Sequence, residues 1–154
     1  MAKRQIVAGS GGFLYEAQYT KIGPIIKYVL NLTQKEEPKL CFVGTAGGDS
    51  PIAISNFYNA CYGHSIKPSH LQLYPYPNHR SVREYVLSQD AIWVSGGSVA
   101  NLMAVWNEHG LFKIFHEAWE NGVVLSGISA GSICWSAGGT TDSFGLDLQH
   151  ILNN

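Results

Sequence analysis

The sequence predicts an α/β fold, a parallel β-sheet with helices on both faces. Three observations predict it. Short apolar runs alternate with helical patterns along most of the chain. The runs are continuously apolar rather than alternating, as expected of strands covered on both sides. Each is followed by a stretch with helical spacing, the pattern of βα units.

The elements follow in order. "RQIVAG" (4–9) reads as the first strand. "TKIGPIIKYVLNLT" (20–33) reads as a helix with Ile22, Ile25, Ile26, Val29 and Leu30 on one face and Pro24 in its first turn. "PKLCFVGTA" (38–46) is a buried strand, and "SPIAISNFYNACYGH" (50–64) a helix with Ser50 as N-cap and Pro51 at its first position. "SHLQLYPY" (69–76) is a third strand, "SVREYVLSQ" (81–89) a short helix, and "AIWVSGG" (91–97) a fourth strand. "SVANLMAVWNEHG" (98–110) and "LFKIFHEAWENG" (111–122) are helical, closed by Gly110 and Gly122. "VVLSGIS" (123–129) is a fifth strand and "AGSICWSA" (130–137) opens a last helix. Beyond Gly138 the pattern reads as loop and tail.

The length, 154 residues, fits one domain over 1–154, and with 45% hydrophobic residues it can bury a sizeable core. Only 14% of residues are charged, against about 25% in an average soluble domain. That shortfall suggests surface covered by another subunit, or a piece of a larger fold. A net charge of −1 gives no electrostatic case for nucleic acid or an anionic membrane. No secretory leader and no apolar run of membrane-spanning length is read. The three cysteines, Cys41, Cys61 and Cys134, lie in apolar settings and read as buried free thiols of a cytoplasmic protein. No Cys/His spacing suggests zinc, and neither a metal nor an organic cofactor is implied. "VAGSGGF" (7–13) is an incomplete dinucleotide fingerprint with no helix start behind it and no acidic residue ending the second strand.

The chemistry concentrates in "VVLSGISAGSICW" (123–135), where Gly127-x-Ser129-x-Gly131 sits between a strand and a helix. A nucleophile on such a turn needs small flanking residues, because neighbouring backbone passes close by. The N–H of Ala130 is the natural first donor to an oxyanion. A structural glycine turn is the competing reading. "WVSGGSVANL" (93–102) leaves the fourth strand at the same end, where Gly96 and Gly97 could give a second donor and Ser98 could cap the helix. Thr45, Asp49 and Ser50 of "VGTAGGDSP" (43–51) also reach that end, with helix capping the expected role of Ser50. A serine nucleophile needs a base, usually histidine. His64 and His70 are read at or before the start of the third strand, the opposite end of the sheet. His109 and His116 lie on the helices between strands four and five. His79 follows the third strand at the right end, and His150 lies in the tail, leaving these two as candidates.

"GISAGSICW", "VSGGSVANLMAVW", "KLCFVGTAGGDSP" and "TTDSFG", in this order over essentially the whole chain, resemble peptidase family S51, the peptidase E (aspartyl dipeptidase) and cyanophycinase group. The resemblance implies a flavodoxin-like three-layer sandwich similar to class I glutamine amidotransferases, with a serine where those carry cysteine. It implies Ser129 as nucleophile and Gly97 with the Ala130 N–H as oxyanion hole. It also matches Asp142 of "TTDSFG" to the acidic position after the nucleophile helix. Two departures are visible. Ser95 and Ser98 stand where the family often has a glycine and an asparagine. The segment carrying the family's catalytic histidine, with its final strands and helix, has no counterpart here, so the C-terminal part of the fold is expected to be missing and the base is unmatched.

The expected function is that of a serine-type peptidase acting on short peptides. The alternative is an inactive shortened homologue or fragment that binds or oligomerises through an exposed sheet edge. A glutamine-amidotransferase-like subunit is a third reading, disfavoured because serine needs the missing base more than a thiolate does. Arg80 and Arg83 are candidates for reading a substrate carboxylate, with solvated helix charge the favoured competing reading.

Overall fold

A computed structural model of the chain describes residues 3–16, 19–145 and 147–152. The elements are β1 (Ile6–Gly9), β2 (Phe13–Glu16), β3 (Tyr19–Ile22), α1 (Pro24–Leu32), β4 (Lys39–Val43), α2 (Pro51–Cys61), β5 (Lys67–Leu71), α3 (Val82–Leu87), β6 (Ala91–Val94), α4 (Val99–Glu108), α5 (Leu111–Glu120), β7 (Val124–Ile128), α6 (Ala130–Ile133), β8 (Gly138–Thr141) and β9 (Gln149–Leu152). Five strands form one sheet in the order β1-β7-β6-β4-β5, and every neighbouring pair is parallel.

Successive strand residues point to opposite faces, so a continuously apolar strand feeds two cores. Cys41 and Val43 of β4, Ile92 and Val94 of β6, and Leu125 of β7 pack with Val86 of α3, Leu102 and Trp106 of α4, and Phe115 of α5. Their neighbours Leu40, Phe42, Ala91, Trp93 and Val124 pack on the other face with Ile26 and Val29 of α1 and Phe57 and Ala60 of α2. The expected α/β sandwich is therefore present, with α1 and α2 on one side and α3, α4 and α5 on the other. Gly110 adopts φ +65° between α4 and α5, and Gly122 φ +90° after α5, the left-handed conformation that ends helices at glycine.

Four details depart from the sequence reading. Residues 20–22 are strand, not helix. Ile22 shares the 3.6-residue spacing of α1, yet it pairs with Phe13 in an antiparallel hairpin whose outer face carries a Lys21–Glu16 ion pair of 3.0 Å. Gly23 and Pro24 break the chain there, and a Cβ on Gly23 would lie 2.0 Å from the Gly12 carbonyl oxygen, so the hairpin folds back on its own entry. The stretch beyond Gly138 is a second hairpin, β8 with β9, whose Ile151 reaches the core around α4 and α5. The third strand starts at Lys67 rather than Ser69. It is an end strand, where Pro68 is tolerated and apolar content is no guide. Finally, α6 is a single turn.

The three cysteines are free and buried. Burial pushes the thiols of Cys41 and Cys61 up to about 12 and raises that of Cys134 as well. Unfolded, they would ionise near 9.0. Since the folded pKa values are raised, the thiols cost no stability below about pH 8.5. Above that the unfolded chain loses protons that the folded chain keeps. Stability should then fall by about 1.4 kcal/mol per pH unit for each thiol. Urea unfolding at pH 8 and pH 10 should show the drop, and an unchanged midpoint would contradict it.

Candidate active site

The chain order of the strands decides where a ligand can bind. From β4 the chain moves outward to β5. It then returns to β6 on the other side of β4 and continues to β7. The direction of winding therefore reverses between β4 and β6. Open α/β sheets form a crevice at the carboxyl ends of the two strands flanking such a reversal. The segments 44–50 and 95–98 leave those strands there, and Ser129 follows β7 beside them. A cleft of about 300 Å³ opens at this place. It is lined by Gly44, Gly47, Ser95, Gly96 and Ser129 among others.

Ser129 has φ +55° and ψ −119°, a conformation that side-chain-bearing residues rarely adopt. Its side chain is exposed, and no hydrogen bond to its Oγ is made among the described residues. The backbone around it leaves no room for side chains. A Cβ on Gly127 would sit 2.2 Å from the Gly131 oxygen and 2.7 Å from the Val94 oxygen, and one on Gly131 would sit 2.2 Å from the Val94 oxygen. Thus Gly127 and Gly131 let the turn nest against the end of β6. The Ser129 carbonyl accepts from the Ser132 and Ile133 amides at 2.8 and 2.9 Å, closing the turn. With only one turn in α6, the helix dipole is small, and the local amides carry the electrostatics.

The loop after β6 meets Ser129 directly. A Cβ on Gly96 would lie 3.2 Å from Ser129 Cβ and 3.7 Å from its Oγ. Gly97 has φ +140°, and a Cβ there would lie 2.1 Å from the Ala46 oxygen, so only glycine fits. The Ser98 N–H donates to that same oxygen at 2.9 Å, and the Ser98 hydroxyl caps α4 by accepting from the Asn101 N–H at 3.2 Å. No intramolecular partner takes the amides of Gly96, Gly97 or Ala130 among the described residues. The structure thus sets Gly96 directly against Ser129, while Gly97 and Ala130, the next residue along in each segment, are not among the residues that line the cleft.

Asp142 lies on the β8–β9 connection with its side chain exposed. Its neighbour Ser143 accepts a hydrogen bond from the Ala100 N–H at 3.3 Å, which ties this connection to the first turn of α4. The histidines are not brought in: none of the six lines the cleft. His79 stacks on Tyr85, ring centroids 3.5 Å apart, and its Nε2 donates to the His70 carbonyl at 3.1 Å. That places it beside the end strand β5, two strands beyond β6. His150 lies on β9 opposite Thr140, exposed. His70, expected at the start of the third strand, is next to the last residue of β5, with Nδ1 2.9 Å from the Tyr58 hydroxyl. Burial, with the charge of His79, holds its imidazole below the usual range, and Asp49 offsets this in part.

The remaining expectations divide. Arg83 pairs with Glu117 through two contacts, and Arg80 faces a separate depression with His79, so neither lines the cleft. Thr45 is buried and accepts from Trp106 Nε1 at 3.4 Å. Asp49 is buried too, and its Oδ2 accepts from the Leu73 and Tyr74 amides at 2.6 and 3.0 Å, holding the exit of β5. Ser50 precedes α2 but its hydroxyl makes no capping bond and lines the cleft instead. The sequence reading missed the cleft walls, Phe13, Phe42, Phe57 and Trp93. Phe42 and Trp93, penultimate in the two strands at the reversal, were the available signal.

Comparison with known proteins settles the family. The sequence profile of peptidase family S51 matches residues 6–150. The chain belongs to peptidase family S51. This S51 chain is 45% identical over 143 residues to the uncharacterized peptidase YgaJ of Bacillus subtilis (strain 168), covering 92% of the chain. It spans 60% of that relative's length. A peptidase from an acI-B1 Actinobacterium shares its fold, with a TM-score of 0.65 and 20% identity over 90% of this chain and 58% of that one. A Listeria monocytogenes EGD-e protein, named as a candidate peptidase E, aligns with a TM-score of 0.55 and 19% identity, over 71% of this chain and 57% of its own. The S51 sandwich anticipated from the sequence motifs is thus the observed architecture. No helix among the described residues is long and apolar enough to cross a membrane.

Proposed function

We propose that this chain carries the nucleophile half of a serine peptidase centre acting on short peptides. The observation that carries the reading is Ser129. Exposed Ser129 stands at a left-handed φ in the crevice, with Gly96 against its side chain, and this supports assigning the neighbouring amides of Gly97 and Ala130 to the oxyanion hole. In this reading Ser129 Oγ attacks the peptide carbonyl and its proton passes to a base. The oxyanion accepts from Gly97 and Ala130. Collapse of the tetrahedral adduct expels the amine, which takes the proton back, and water hydrolyses the acyl-enzyme. Asp142 is assigned to the acidic position by its motif. The described residues place no histidine in the cleft, and serine is a weak nucleophile without a base. Turnover by the 154-residue chain is therefore expected to be near zero, with His79 or His150 able to serve only after rearrangement. The three buried thiols support a reducing, cytoplasmic setting.

A fluorophosphonate probe tests the nucleophile. Slow labelling of the wild-type chain, lost in Ser129→Ala, is the expected result; equal labelling of both proteins would end the proposal. Hydrolysis of aspartyl dipeptides by the wild type, abolished in the same variant, would overturn the expectation of inactivity.

A second reading, assembly of two copies through β1, is favoured by one feature. β1 ends the sheet, and its Ile6, 44% exposed, adjoins a groove of Phe112, Trp119 and Trp135. Antiparallel pairing of two β1 edges about a twofold axis would cover both copies of Ile6. Light scattering after size exclusion should then give a dimer, and a monomer would count against it.

A further inference from the structure

We propose that Asp49 is a positioning residue: its carboxylate pins the turn 44–49, whose Ala46 carbonyl holds Gly97 and Ser98 in place beside Ser129. This rests on the reading of Ser129 as the nucleophile and of the Gly97 N–H as an oxyanion donor. The loop after β6 rests on that turn. The Ser98 N–H donates to the Ala46 oxygen at 2.9 Å, and a Cβ on Gly97 would lie 2.1 Å from the same oxygen and 2.9 Å from the Gly47 nitrogen. Gly96, one residue earlier, lies against the Ser129 side chain. A shift of the Ala46 carbonyl therefore carries the Gly97 amide with it.

The turn has little to hold it from within. Thr45–Gly47 is a single 3-10 turn, closed by the Gly47 and Gly48 amides donating to the Gly44 and Thr45 carbonyls at 2.9 and 3.0 Å. Hydrogen bonds in such turns have poorer geometry than those of an α-helix. Gly48 and Asp49 follow at φ +68° and +52°, two left-handed residues in succession. Glycine takes that conformation freely, and aspartate is one of the few other residues that tolerates it. Two ties fix the turn from outside. On the side of α4, Thr45 Oγ1 accepts from Trp106 Nε1 at 3.4 Å, a long bond. On the side of β5, Asp49 Oδ2 accepts from the Leu73 and Tyr74 amides at 2.6 and 3.0 Å, and a charged acceptor makes such bonds the stronger kind. A Cβ on Gly44 would stand 3.2 Å from Asp49 Oδ1, so the carboxylate folds back over the start of its own turn. That Oδ1 is buried with no partner among the described residues. A left-handed φ and a half-used buried carboxylate both cost stability, and such costs collect where a site needs a fixed geometry.

Rates of fluorophosphonate labelling in three variants test the proposal. Asp49→Gly suits the left-handed φ and deletes the tie. It should label at least about 10-fold more slowly than wild type, since misplacing a reacting group by about 1 Å costs about 100-fold. Asp49→Asn keeps an oxygen for both amides and loses the charge. Asp49→Glu keeps the charge and displaces the oxygens by one methylene. Because position is what Asp49 supplies, the Asn variant should label at least about fivefold faster than the Glu variant. A smaller loss in Asp49→Gly, equal rates for Asn and Glu, or the reverse order would overturn the proposal. The Asn and Glu comparison decides the matter if Asp49→Gly does not fold. Amide hydrogen exchange on Ser129→Ala protein, where no labelling occurs, tests the tie by itself. Adding Asp49→Gly should speed exchange of the Ser98 N–H at least about 10-fold relative to that of Leu125 in β7. An unchanged ratio would overturn the proposal. The two readings fail separately. Absence of labelling in the wild type would remove the nucleophile and leave exchange to decide whether Asp49 fixes the loop. Labelling of Asp49→Gly at the wild-type rate would keep the nucleophile and remove the positioning role.

Discussion

Ser129→Gly is expected to abolish fluorophosphonate labelling and to raise the unfolding free energy by about 1 kcal/mol. Ser129→Ala should abolish labelling without that gain. The two variants remove the same hydroxyl, so they separate chemistry from strain. At φ +55° and ψ −119° the serine Cβ crowds its own backbone, and the carbonyl bonds from Ser132 and Ile133 hold it there. Only glycine relieves the crowding, and it does so against the entropy that glycine itself loses on folding. Urea unfolding of the three proteins reads the effect. Equal stability of Ser129→Gly and Ser129→Ala would mean that the turn stores no strain.

Gly131→Ala, and separately Gly127→Ala, should each cost about 3 kcal/mol or prevent folding. The added methyl in each case meets backbone, not a side chain that could turn away. At Gly131 it would stand 2.2 Å from the Val94 oxygen and 2.8 Å from the Ser95 oxygen. At Gly127 it would stand 2.2 Å from the Gly131 oxygen. Moving these atoms means separating the Ser129 turn from the carboxyl end of β6, which opens the cleft as well. Gly11→Ala is the control. Its methyl would reach only Ile25 Cδ1 at 3.4 Å, and its effect should stay within about 0.5 kcal/mol. If all three substitutions behaved alike, close backbone contact would not be what the glycines of the turn provide.

Legibility varied with the range of the signal. The Ser129 turn was readable because its constraint is local. A strand, a residue forced to a left-handed φ and two small neighbours are all contained in the eight positions from Val124 to Gly131. The loop of Gly96 and Gly97 was readable for the same reason, and Ser98 caps α4 as its position before Val99 suggests. The hairpins were not. Ile22 fits the period of α1 as well as that of β3, and only contact with Phe13 decides between them. In the β8–β9 hairpin, glycines and polar residues hide the strands, and Ile151 is held by a core formed far away in sequence. His70 was put at the wrong end because the edge strand β5 has little apolar content to mark its start.

By itself the sequence determined the alternation of five strands, apolar except at the β5 edge, with helices, and the tight turn that displays a serine. Local periodicity and the steric needs of glycine suffice for both. Tertiary structure alone decided which strands lie side by side, and with that the reversal between β4 and β6 that creates the cleft. It also decided that four rings from β2, β4, α2 and β6 line this cleft and that no histidine does. Those outcomes depend on burial summed over residues distant in the chain. A pattern of neighbours along the sequence carries no record of such distances.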